Sequence, residues 1–362
     1  MFYHFLYPLK DLFFGFNVLR YITFRSAMAA VTAFVLSLIL GKILIPKFSR
    51  FKIGEKVLKE DSAKLDRLHR HKEGTPTMGG VFILLSILLT VLLWADLTNK
   101  FILLTSFVCV YLGILGFSDD LLKLRKRNSK GLSFNTKLFL QVILGLVIGT
   151  FLYLAPDFKS TLNFPFFKKA VFDLGIFYIL FVTIVIVGTS NAVNITDGLD
   201  GLAIGCVIIS ALAIAVLSYI SGHAKFSEYL FLPYIEGASE LSVFCGSILG
   251  ASLGFLWFNC HPAEIFMGDV GSLALGGTLG TIAIFIKKEL LLLLLGGIFV
   301  IEALSVILQV GFYKLRKRRI FECAPIHHHF QFLGWDESKI IIRFWIVAII
   351  LALLTLATIK LR

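Results

Sequence analysis

Residues 191–220 read NAVNITDGLDGLAIGCVIISALAIAVLSYI, a polar, glycine-punctuated segment followed from Leu202 by an uncharged run of 19 residues. A stretch that long without charge spans the hydrocarbon layer of a bilayer, which takes roughly 20 residues. Working outward, the same criterion finds nine more runs. The ten are Ile22 to Leu44, Gly79 to Ala95, Phe101 to Phe117, Leu138 to Leu154, Leu174 to Gly188, Leu202 to Ile220, Leu241 to Phe258, Leu273 to Ile286, Leu290 to Phe312 and Ile340 to Ile359. The fifth and eighth are the shortest. With 57% apolar residues and only 16% charged ones, the composition excludes an ordinary soluble domain. The expectation is an all-α integral membrane protein, one polytopic domain over residues 1–362.

Residues 1–20 are aromatic, carry His4 and Asp11 and show no small-residue cleavage site, so they read as an interfacial segment and not as a signal peptide. The five cysteines form no CxxC pair, which implies neither a disulfide framework nor a zinc site. The net charge of +12 would suit nucleic acid, but its distribution suits membrane orientation better. Connections after the odd-numbered spans hold 21 Lys and Arg, and those after the even-numbered spans hold 7. By the positive-inside rule the first set is cytoplasmic and both termini lie outside. The main cytoplasmic loops are then about 46–78, 118–137, 189–201, 259–271 and 314–339, a basic face that also attracts anionic lipid headgroups.

That same face collects the chemically distinctive residues. Asp119 and Asp120 follow the third span directly, and a carboxylate pair at a membrane edge needs cations or hydrogen bonds to hold it. On a helix the two point about 100° apart, so one can face a cleft while the other makes a structural contact. Asn191, Asn194, Asp197 and Asp200 recur every third residue, with Gly198 and Gly201 among them allowing close backbone approach to a nucleotide or phosphate. After the seventh span come Asn259, His261, Phe266 and Asp269. An aromatic plate beside a carboxylate suits a nucleobase next to a cation-bound diphosphate, with the oxygen ligation Mg²⁺ prefers.

His327, His328 and His329 are consecutive, poor spacing for one metal, so contact with an anionic substrate is the better reading. The first loop ends HKEGTPTMGG, which puts Lys72 and Thr77 before a helix start, and Lys123 and Lys137 flank the next basic loop. Glu302 is the one acid deep in a long apolar run, expected to hydrogen-bond a neighbouring helix. No GxxxxGK[ST] occurs, so an ATP-driven pump is unsupported. A secondary transporter would place its polar site near mid-bilayer between two related halves, and no internal repeat is visible.

Five segments together resemble a known family: GTPTMGG at 74–80, Asp119-Asp120, NAVNITDGLDGLA at 191–203, FMGDVGSLALGG at 266–277 and APIHHHF at 324–330. In this order they are similar to the motifs of the phospho-N-acetylmuramoyl-pentapeptide transferases, within the polyprenyl-phosphate N-acetylhexosamine-1-phosphate transferase superfamily. PTMGG and the triple histidine favour the muramoyl-pentapeptide branch over branches using UDP-GlcNAc. Ser118, Val270 and Gln331 depart from the usual pattern, the last standing where Glu is common.

The resemblance implies a ten-helix, commonly homodimeric enzyme of the bacterial inner membrane with its active site facing the cytoplasm. It would transfer phospho-MurNAc-pentapeptide from UDP-MurNAc-pentapeptide to undecaprenyl phosphate, releasing UMP and forming lipid I, with Mg²⁺ required. Asp119, Asp120, Asp269 and His328 are then the catalytic set, with Mg²⁺ on Asp269. Lys72, Thr77, Lys123, Lys137, Asn194, Asp197, Asp200, Asn259, Phe266, His327 and His329 form the substrate-binding set. Asp119 has two open roles, general base on the lipid phosphate or nucleophile in a two-step route.

Overall fold

The computed structural model describes residues 1–50, 72, 74–126, 131–164 and 171–360. Among these, nine helices are long and apolar enough to cross a membrane, and Gly80–Trp94 is a shorter apolar tenth. In chain order the principal helices are α1 (Ile22–Arg50), α2 (Gly80–Trp94), α3 (Lys100–Lys126), α4 (Phe134–Leu154), α5 (Phe177–Thr196), α6 (Leu202–Ser221) and α7 (Leu241–Asn259). They continue as α8 (Gly268–Phe285), α9 (Gly297–Arg316), the short α10 (Ile326–Phe332) and α11 (Glu337–Ala357). The protein is an all-α polytopic membrane protein.

α8 is the centre of the bundle, packed chiefly against α3 and α5, and nearly all its residues are buried. Its composition explains the position. Gly271, Ser272, Ala274, Gly276, Gly277, Thr278 and Gly280 let neighbouring backbones approach, which is how helices associate where lipid offers no hydrophobic driving force. α1 lies along α7, α4 along α5, and α6 along α7. α1, α9 and α11 are the least buried helices, with large apolar side chains such as Ile39, Ile307, Leu308, Ile346 and Leu353 exposed around them.

Several helix limits differ from the hydropathy reading. The fifth span runs on to Thr196 and the eighth starts at Gly268, so Asn191, Asn194 and Asp269 are helical residues instead of loop residues. The acid pair is likewise inside α3, which continues to Lys126. The ninth span is broken, with a separate helix at Glu289–Leu295 before α9. Its Gly296-Gly297 junction accounts for the break, since paired glycines weaken a helix interior.

At the end of the bundle remote from the motifs, the helices are tied by buried polar contacts. Arg25 makes a bidentate pair with Glu240, at 2.8 and 2.5 Å, and donates to the Trp94 carbonyl at 3.3 Å. Lys287, buried just after α8, donates to the Tyr178 hydroxyl at 2.9 Å and lies over the Phe158 ring at 3.8 Å. Its carbonyl partner is Lys159, shortly before a two-stranded antiparallel pair, Thr161–Asn163 with Val171–Asp173. Burial pulls the Lys287 ammonium down to about 8, against the opposing effect of Glu289 and Asp173.

The N-terminal 20 residues form short helices that leave Leu12, Phe13 and Phe14 exposed. The N-terminal amine donates to the Leu92 carbonyl at 2.5 Å, at the end of α2.

Candidate active site

Three carboxylates meet where α3 passes the start of α8. Asp119 and Asp120 are both buried, and they do diverge as a helix requires. Asp120 turns to α8 and accepts the Val270 backbone N–H at 3.3 Å. Asp119 accepts the Leu132 N–H at 2.6 Å on one oxygen and pairs with Lys123 at 2.9 Å on the other. Asp269, in the first turn of α8, pairs with Lys137 at 2.6 Å and Lys123 at 3.0 Å. Its other oxygen accepts the Asn194 amide at 2.7 Å, and Asn194 also donates to Ser272 at 2.8 Å. Lys123 and Lys137 therefore stand inside the acid cluster, where they offset the repulsion of three carboxylates.

One oxygen from each of Asp119, Asp120 and Asp269 lies within 4.8 Å of the others, a donor set able to hold a metal ion. All are hard oxygen ligands, which suits Mg²⁺. The sequence reading put the metal on Asp269; the structure adds Asp119 and Asp120 to the candidate ligands.

The glycine before Asp269 is required by this geometry. Gly268 has φ +72°, and a Cβ there would lie 2.5 Å from Asp120 Oδ2 and 3.1 Å from Thr77 Oγ1. Thr77 reaches this place because residues 76–80 pair with 266–267. Phe266 N–H donates to the Pro76 carbonyl at 2.8 Å, Gly79 N–H to Phe266 at 2.9 Å and Gly80 N–H to Met267 at 2.8 Å. The same pairing fixes the Phe266 backbone and leaves its ring half-buried.

A second ion network lies at the same end. Lys72 is buried between Asp200 at 2.7 Å and Glu337 at 2.5 Å. Asp200 also accepts the Ala263 N–H at 3.1 Å and lies 3.2 Å from His261 Nδ1. Burial would raise the Asp200 carboxyl, but Lys72 and these hydrogen bonds hold it below the usual carboxylate range. Asp200, His261 and Glu337 also have the spacing of a metal group, with the Lys72 ammonium lying between its two acids. Asn259 accepts the Gly201 N–H at 3.0 Å and donates to the Ile265 carbonyl at 2.8 Å, so its amide joins two motif segments.

The three histidines separate. His327 is fully buried, with Nδ1 3.0 Å from Glu302 Oε2. His328 is buried, with Nδ1 2.8 Å from Gln331 Oε1. His329 Nδ1 accepts the Glu322 N–H at 3.2 Å. α10 joins the 191–201 segment at Gly198, next to Asp197, where a Cβ would collide with the His327 ring.

The structure thus brings together Thr77, Asp119, Asp120, Lys123, Lys137, Asn194, Phe266 and Asp269. It sets Lys72, Asp200 and Asn259 in an adjoining network and attaches the histidine helix through Gly198. Sequence reasoning passed over Glu337 because an acid in the first turn of a helix reads as an ordinary helix start. It also passed over Gln141, which accepts the Asn191 amide at 2.8 Å from within an apolar run.

The profile of Glycosyl transferase family 4 matches residues 101–287, and signature 1 of phospho-N-acetylmuramoyl-pentapeptide-transferase matches 72–84. Proteins with that name from Desulfotalea psychrophila and Citrifermentans bemidjiense are 53% and 54% identical, with all of each chain covered. One from Thermodesulfovibrio yellowstonii is 51% identical over the same full coverage. By the length and level of this identity, the chain belongs to the phospho-N-acetylmuramoyl-pentapeptide-transferase family.

Proposed function

We propose that this chain transfers phospho-MurNAc-pentapeptide from UDP-MurNAc-pentapeptide to undecaprenyl phosphate, forming lipid I and UMP. The convergence of Asp119, Asp120 and Asp269 with Lys123 and Lys137 carries the reading. A lipid-phosphate oxygen attacks the sugar-bearing phosphorus, a new diphosphate bond forms, and the bond from that phosphorus to the UMP oxygen breaks. Both reactants are anionic, so charge neutralisation and positioning are the main requirements.

Lys123 and Lys137 supply cationic donors at the place where the phosphates would meet. Asp119, Asp120 and Asp269 would hold Mg²⁺, which supplies Lewis-acid neutralisation of the diphosphate when bound. Phe266, half-buried beside Asp269, offers a face for the uracil ring, with Asp200 and Asn259 framing the adjoining segment. Asn194 and Asp197 flank the diphosphate-sugar region, with Thr77 beside Asp120. His328 adds a donor to the transferred phosphate. A lipid phosphate is largely ionised above about pH 6, so direct attack needs little help from a base, and Asp119 serves chiefly to place charge.

The excess of Lys and Arg on the motif side supports a cytoplasmic-facing site in the bacterial inner membrane, open to soluble nucleotide-sugar. The active unit in this reading is a homodimer. UMP release measured with undecaprenyl phosphate and each of UDP-MurNAc-pentapeptide and UDP-GlcNAc, with and without Mg²⁺, tests the proposal. Turnover should require the muramoyl substrate and Mg²⁺. Turnover with UDP-GlcNAc alone would move the chain to another branch, and silence with both would revive a transporter.

A further inference from the structure

Glu302 is a buried acid that the proposed chemistry leaves unused. It is fully buried on α9, where an unpartnered carboxylate is costly. Its Oε2 lies 3.0 Å from Nδ1 of His327, itself fully buried. One side chain from a membrane helix therefore meets the ring of the first histidine of α10. On the other side that ring abuts Gly198, and a Cβ at 198 would collide with its Nε2. His327 is clamped between an acid of α9 and the turn that carries Asp197. Its ring centroid is 4.2 Å from that of His328, whose own Nδ1 is set by Gln331.

We infer that Glu302 is a positioning residue: acting through His327, it sets where α10 presents His328 to the 191–201 segment. Desolvating a carboxylate and an imidazole is offset only in one good geometry, so the pair specifies a position more than it adds stability. Misplacing a catalytic group by about 1 Å can cost about 10²-fold in rate. The inference rests on the proposed role of His328 at the transferred phosphate.

The test uses the full chain in detergent with undecaprenyl phosphate, UDP-MurNAc-pentapeptide and Mg²⁺. Glu302→Gln should lower kcat by about 10 to 100-fold while the KM for the nucleotide-sugar stays within about threefold, because the nucleotide is held elsewhere. His327→Ala should show the same split, and the double variant should be no slower than the worse single variant. Gly198→Ala, which crowds His327 from the opposite face, should repeat the signature and serves where Glu302→Gln does not fold.

Multiplicative losses in the double variant would show that Glu302 does not act through His327 and would overturn the inference. So would a Glu302→Gln loss explained wholly by a smaller fraction of protein able to bind nucleotide. His328→Ala is the control. Full activity there would overturn the reading of α10 as part of the site, and the inference with it. An inactive His328→Ala beside a normal Glu302→Gln would overturn the inference alone.

Discussion

Lys72 Nζ donates to Asp200 Oδ1 at 2.7 Å, joining the first basic loop to the connection between α5 and α6 across 128 residues of sequence. Glu337 shares the same ammonium at 2.5 Å and also accepts the Asp200 N–H at 2.9 Å. A cation that sequence reasoning offers to a substrate phosphate is, in the folded chain, the counter-ion of two buried acids.

Lys72→Met should therefore lower stability as well as activity. Removing one partner of a buried ion pair costs about 3–5 kcal/mol, because the charge left behind is uncompensated. A thermal unfolding midpoint in detergent should fall clearly below wild type. An unchanged midpoint with lost turnover would instead assign Lys72 to substrate alone.

Asp269→Asn should abolish Mg²⁺-dependent UMP release while the protein stays folded. The amide keeps the shape but weakens both the metal site and the contacts to Lys123 and Lys137. Near-normal UMP release over a Mg²⁺ titration would remove Asp269 from the metal site.

Phe266→Ala should weaken uridine nucleotide binding by about 1–3 kcal/mol, the usual worth of a base stacked on an aromatic ring. Calorimetry with UMP and with UDP-MurNAc-pentapeptide measures it. Unchanged affinity would refute the stacking role.

Direct attack predicts no phosphorylated enzyme. Incubated with labelled UDP-MurNAc-pentapeptide and Mg²⁺ but no lipid phosphate, the protein should retain no covalent label and release no stoichiometric burst of UMP. Label trapped on Asp119 would establish the two-step route.

At the opposite end of the bundle, Lys287 titrates at about 8 in the folded chain against 10.5 when unperturbed. Between these values the unfolded chain binds more protons, so stability should rise with pH from about 8 to 10.5. Lys287→Met should flatten that slope in thermal melts taken across the range. An identical slope in the variant would assign the effect to other groups.

Much of this was readable from the sequence, and the misplaced helix ends and Gln141 share one cause. Hydropathy ended the fifth span at Gly188 and began the eighth at Leu273, because Asn191, Asn194, Asp269 and Ser272 depress any local average. In the structure Asn194 donates to Asp269 and Ser272 across two packed helices, so the polar residues satisfy one another and both helices continue. Gln141 was invisible for the same reason, since its partner Asn191 lies on another helix.

The sequence by itself determined the order of the apolar runs, the basic side, the motif residues and the family resemblance, because length, apolarity and charge add along the chain. Only the tertiary structure decided the pairings: Lys72 with Asp200 and Glu337, Lys137 with Asp269, and Glu302 with His327. In a medium of low dielectric a polar group is costly until it meets its partner. Which partner it meets depends on helices that are distant in sequence and adjacent only after packing.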